Sequence, residues 1–97
     1  MVRHVILWKL KEEHNTPERK KTIKEHLESL VGAVPGLVSL SVHTEALPSS
    51  NADLCLDSVL VDEAALKGYA THPAHVAAAD TFVCPFVETR LCLDFEV

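Results

Sequence analysis

Four stretches of the chain alternate between apolar and polar positions with the two-residue period of a β-strand. In Val2 to Leu10, the residues Val2, His4, Ile6, Trp8 and Leu10 point one way and Arg3, Val5, Leu7 and Lys9 the other. Leu37 to His43 sets Leu37, Ser39, Ser41 and His43 against Val38, Leu40 and Val42. Leu54 to Val61 reads as a third strand. Glu88 to Val97 is a fourth, with Leu91, Leu93, Phe95 and Val97 against Arg90, Cys92, Asp94 and Glu96.

The intervening segments repeat at helical spacing. Thr16 can cap orphan amides and Pro17 loses no hydrogen bond at a first helical position, so a helix starts there. Ile23, Leu27, Leu30, Val31 and Val34 then fall on one stripe, which predicts a long amphipathic helix running to Pro35-Gly36. Arg19, Lys20, Lys21, Lys24, Glu25 and Glu28 fill its other faces as a solvated surface. Asp62 caps a second helix that carries Leu66, Tyr69 and Ala70 on one side. His72-Pro73 breaks it, Pro73 opens a further helical segment through Ala74 to Thr81, and Pro85 ends that. Glu45 to Ala52 is the one long connector.

The resulting order, β-α-β-β-α-(α)-β, predicts a single α+β domain over residues 1–97. Its arrangement is ferredoxin-like: a four-stranded antiparallel sheet with helices on one face. Apolar side chains lie on both sides of the first strand. A second cover is therefore expected, and a two-fold homodimer packed through the open sheet face supplies it.

Composition narrows the partners. Nine basic against fourteen acidic residues give a net charge of −5 without a basic stripe, which argues against nucleic acid and against an anionic membrane surface. The apolar run Val5 to Trp8 is too short for a leader or a span. Cys55, Cys84 and Cys92 are odd in number and lack a C-x-x-C pair, so free thiols in a reducing cytoplasm are expected. No cofactor is expected, because Gly32, Gly36 and Gly68 form no phosphate-cradling loop. No metal site is expected either: His72 and His75 are separated by a proline and have no third ligand nearby. His14, His26 and His43 read as surface residues, and nothing in the sequence suggests a base that would activate Cys84.

Three motifs carry a family resemblance. The opening Val2-Arg3-His4-Val5-Ile6-Leu7-Trp8-Lys9-Leu10-Lys11, the junction Val34-Pro35-Gly36-Leu37 and the run Tyr69-Ala70-Thr71-His72-Pro73-Ala74-His75-Val76 occur in order and at matching intervals. With them the chain resembles the stress-responsive dimeric α/β-barrel (Dabb) family over essentially its whole length. The last run resembles a polyketide-cyclase branch at its Tyr-x-x-His-Pro-x-His signature. The resemblance implies two subunits sharing a barrel, with a cavity between each sheet and its own helices. In the cyclase branch the acid–base residues correspond to His75, His4 and Tyr69; that branch's pocket tyrosine on the first helix falls at Leu27 here, and strand three has no histidine.

Two readings follow. In the first, the homodimer binds a small apolar or carbonyl-bearing molecule lined by Ile6, Trp8, Leu27, Leu66 and His72. In the second, a cofactor-free enzyme of the cyclase or lyase kind uses His75 as base, His4 as partner and Tyr69 to hold a developing oxyanion. A third possibility, the related antibiotic-biosynthesis monooxygenases, rests on Trp8 alone. Each candidate also has a purely structural account: His75 ties the Pro73 turn to a backbone carbonyl or to Asp80, His4 is a satisfied core histidine, and Tyr69 is core.

Overall fold

The structure, a computed structural model, describes all residues from Met1 to Val97. Four strands form one antiparallel sheet in the order β2-β3-β1-β4: β1 Val2–Leu10, β2 Leu37–His43, β3 Leu54–Leu60 and β4 Val87–Glu96. Three helices, α1 Pro17–Glu28, α2 Glu63–Thr71 and α3 Pro73–Phe82, connect them. This is the expected ferredoxin-like α+β fold. Single 3-10 turns at Glu12–His14 and Cys84–Phe86 complete the chain.

The helix starts are where the capping residues place them. Thr16 accepts the Arg19 N–H at 3.2 Å and Asp62 accepts the Ala65 N–H at 2.8 Å. The end of α1 is a correction, because it stops at Glu28 and not at Val34. Ser29 donates its hydroxyl to the His26 carbonyl at 2.7 Å, and residues 29–34 close by short turns through Gly32, whose φ is +89°. Side-chain competition and a left-handed glycine end the helix before the stripe does. Leu30 and Val34 stay buried, but Val31 turns outward.

β2 also departs from strict alternation. Leu37 pairs with Leu60 and Ser39 with Val59, so Val38 is an extra, bulged residue. The bulge brings Leu37 onto the buried side with Leu40 and Val42 and leaves Val38 exposed, the reverse of their expected grouping. Gly36, at φ +81°, precedes this strand; a Cβ there would sit 2.6 Å from the Ala65 Cβ, so its missing side chain lets α2 pack close.

The core lies between sheet and helices, built from Ile6, Trp8 and Leu10 on β1, Leu54, Leu56 and Leu60 on β3, and Ile23 and Leu27 on α1. The α1 charge run is more engaged than a solvated face. Lys24 Nζ donates to the Val42 carbonyl and to Glu28, each at 2.7 Å, while Glu28 accepts the Val42 N–H at 2.9 Å. The outer amide and carbonyl of Val42, on edge strand β2, are thereby occupied. Arg19 lies over the Phe86 ring at 3.5 Å, His26 stacks on Phe82, and His14 meets Phe86 edge-on, so of the three outlying histidines only His43 is exposed.

Candidate functional site

Antiparallel pairing of β1 and β4 sets Trp8 opposite Arg90, Ile6 opposite Cys92 and His4 opposite Asp94. Directly paired residues share a face, so β4 delivers a row of polar groups to the helix side of the sheet. There, a cavity of about 280 Å³ is lined by eleven residues, nine of them hydrophobic. Ile6 and Trp8 come from β1, Leu27 from α1, Leu56 from β3, Tyr69 from α2 and His75 and Ala79 from α3. Val83, Cys84, Val87 and Arg90 close the β4 side.

Tyr69 is the centre of this arrangement. It is 2% exposed, and its hydroxyl is both sealed from solvent and without a hydrogen-bond partner. The His75 ring lies 4.2 Å from the tyrosine ring and the His4 ring 5.9 Å from it, the latter edge-on. Burial pushes the phenol up to about 12, against the opposing pull of Arg90, so Tyr69 is a hydrogen-bond donor throughout the physiological range.

His75 Nδ1 lies 3.2 Å from the Ala70 carbonyl, which can only accept. The Nδ1 proton is thus fixed and Nε2 keeps its lone pair. Burial lowers the His75 pKa, and nearby His4 and Arg90 add to this, against the Ala70 bond and Asp80. A neutral imidazole with a free acceptor nitrogen results. His4 is buried and its Nδ1 bonds Asp94, while Ser58 donates its hydroxyl to the His4 carbonyl at 2.9 Å. His4 stands behind Tyr69 and is not on the cavity wall.

Of the residues expected around the ligand, Ile6, Trp8 and Leu27 line this cavity with Tyr69 and His75. Leu66 does not; it lines a separate hollow with Val2, Lys67 and Phe95, one helical turn away. His72 is occupied as a cap between α2 and α3, its Nδ1 accepting the Ala74 N–H at 3.1 Å. Arg90 and Asp94 were not anticipated as site residues, although the alternation of β4 places them together on one side and only the pairing with β1 shows which side that is. Cys92 joins them, with Sγ at 3.7 Å from His4 Nδ1 and 3.6 Å from Asp94. Those three donor atoms lie within 4.8 Å of one another, a three-ligand set for a soft divalent cation, but the His4–Asp94 hydrogen bond already engages two of them. A second hollow of about 280 Å³ lies on the opposite face between Leu7, His43, Cys55 and the connector after β2, and its walls are mostly loop.

Residues 2–97 match the family described as the stress responsive A/B barrel domain. A dimeric protein of unknown function and ferredoxin-like fold from Bacteroides fragilis superposes with a TM-score of 0.87 at 30% identity, over 99% of this chain and 95% of its own. A dimeric ferredoxin-like protein of unknown function from Thermobifida fusca gives 0.86 at 25% identity, over 99% and 90%. The hydroxynitrile lyase of Passiflora edulis gives 0.82 at 17% identity, over 97% and 90%, and shares the fold. No curated protein matches the sequence. No helix is long and apolar enough to cross a membrane.

Proposed function

The chain belongs to the stress responsive A/B barrel domain family, and on that footing we propose that it is a cytoplasmic homodimer that binds one small, largely apolar, carbonyl-bearing molecule between its sheet and helices. The carrying observation is Tyr69, which lines an apolar cavity and whose hydroxyl is buried without a partner. An unmade hydrogen bond of this kind costs about 1–3 kcal/mol, and an acceptor oxygen on a ligand would recover it. The volume stands near the lower end for ligand pockets, so the molecule is small. The dimer is supported by the open sheet face, where Leu7, Leu91, Leu93 and Phe95 are exposed, and by the dimeric state given for the Bacteroides and Thermobifida proteins. Three free cysteines fit a reducing compartment.

Trp8 is the single tryptophan and lines the cavity, so its fluorescence reports occupancy. Titration with 2-heptanone should give a saturable change, and Tyr69→Phe should weaken binding by about five- to tenfold. A flat response to both short ketones and short carboxylic acids would sink the binding reading.

One observation favours a catalytic version. The His75 Nε2 lone pair, the protonated Tyr69 and the Asp94-anchored His4 form the acid–base set that the cyclase-like signature suggested. In this reading Nε2 takes a proton from the carbon next to a carbonyl, the C–H electron pair passes to oxygen, and Tyr69 donates to that oxygen. Proton–deuteron exchange at the α-carbon of 2-heptanone, followed by NMR in heavy water, should exceed the buffer rate and fall to it in His75→Ala. Equal rates for wild type and buffer reject catalysis while leaving binding in place.

A further inference from the structure

We infer that the ligand is an anion: a short apolar carboxylate whose head is held by Arg90 at the β4 side of the cavity. This rests on the small-molecule reading above and names the chemical class. Of the eleven residues that line the cavity, Arg90 is the one with a fixed charge, and no aspartate or glutamate is among them. Arg90 also has no ion-pair partner. The protein's pairs are Arg3–Asp57, His4–Asp94, Lys21–Glu25 and Lys24–Glu28. Arg90 is exposed, so its guanidinium stands at the rim of an otherwise apolar cavity, where no acid competes with an anionic head. Asp94, on the same strand face, is committed to His4.

The remaining polar groups agree with this assignment. Tyr69 is a donor, and burial lowers the His75 pKa. A ketone would engage the phenol alone. A carboxylate presents two oxygens, one for the phenol and one for the planar guanidinium, whose geometry suits it. A phosphate ester would bring a second charge to a wall that offers one cation. At roughly 30 Å³ for each non-hydrogen atom, as in a condensed liquid, the cavity holds about nine such atoms. A six-carbon acid is of that size.

Hexanoate and 2-heptanone form a matched pair, since replacing one carboxylate oxygen by a methyl group converts the first into the second. Their affinities would be compared by Trp8 fluorescence at low salt in wild type and in Arg90→Gln. Wild type should prefer hexanoate by about tenfold, with the preference shrinking as salt rises. In Arg90→Gln the order should reverse, because a carboxylate without its cation keeps only the cost of leaving water. Retained 2-heptanone affinity in that variant shows that the cavity is intact. If wild type binds the ketone as tightly as the acid, or if the preference survives Arg90→Gln, the anion assignment is wrong and the binding reading stands. If neither probe binds wild type, both fall.

Discussion

β2 and β4 are the two edges of one sheet, and their alternation is inverted. Toward the helices β2 presents Leu37, Leu40 and Val42, all buried, and away from them Ser39, Ser41 and His43. β4 presents Arg90, Cys92, Asp94 and Glu96 toward the helix side and Leu91, Leu93 and Phe95 away from it. The β2 half therefore seals the core within one chain, down to its outer amide and carbonyl at Val42, which Lys24 and Glu28 occupy. The β4 half leaves two demands open. Its polar row meets a cavity, and its apolar row meets solvent. An edge that completes the monomer and an edge left open to a cavity and to solvent thus sit on the same fold, distinguished only by the phase of a two-residue repeat.

The strongest way to break this contrast is at the apolar row. Leu91→Asp combined with Leu93→Asp should turn a dimer into a monomer in sedimentation at micromolar concentration, because each unpaired charge buried at an interface costs several kcal/mol. Ser41→Asp, on the same face at the other edge, should leave the dimer intact. A wild type that sediments as a monomer would remove the asymmetry altogether.

Truncation inside the core comes next. Leu40→Ala should lower unfolding stability by about 2–4 kcal/mol in urea, as buried leucines generally do. Leu91, 65% exposed in the single chain, should cost under about 0.5 kcal/mol when changed to alanine in a monomeric background. Similar losses at both positions would show that β4 is packed within the monomer after all.

Tyr69→Phe sharpens the ligand side. Removing a buried hydroxyl that has no partner should stabilise the ligand-free protein by about 1 kcal/mol, seen as a higher melting temperature, while weakening ligand uptake. A hydroxyl that serves the fold would give the opposite sign.

The smallest effect belongs to the β2 lock. Burial by itself raises the Glu28 pKa, but the bonds from Lys24 and the Val42 amide, with the charges of Lys24 and His43, bring it below its ordinary value of 4.5. A carboxylate depressed in the folded state contributes stability that is present above the unfolded value and is lost as pH falls through the folded one. Glu28→Gln should therefore cost under about 1 kcal/mol at pH 7, the group being partly solvated, and the two melting curves should converge in acid. A difference that persists in acid would point to packing instead of charge.

Much of this architecture is legible in the sequence. The four strands announce themselves by period, Thr16-Pro17 and Asp62 mark helix starts by local hydrogen bonding, and His72-Pro73 marks a break by sterics. Such signals act within a few residues and need no distant partner. Tyr69 and His75 were legible as a pair through their signature, and Ile6, Trp8 and Leu27 through the faces they share. The end of α1 was less so, because an apolar stripe continues through Leu30 and Val34 even where the backbone has left the helix at Ser29 and Gly32. Leu37 was misgrouped, since a bulge at Val38 shifts the phase of alternation without any glycine or proline to mark it.

The sequence by itself determined which residues alternate, where helices begin and, apart from the bulged start of β2, which side chains on each strand point the same way. It left open which side of β4 faces inward, because a period of two is symmetric under exchange of faces. Only pairing with β1, nearly the whole chain away, decides that Arg90 and Asp94 turn toward Tyr69 and Leu91 and Leu93 toward solvent. The charge at the cavity and the bareness of the outer sheet both come from that one long-range register, which no local propensity encodes.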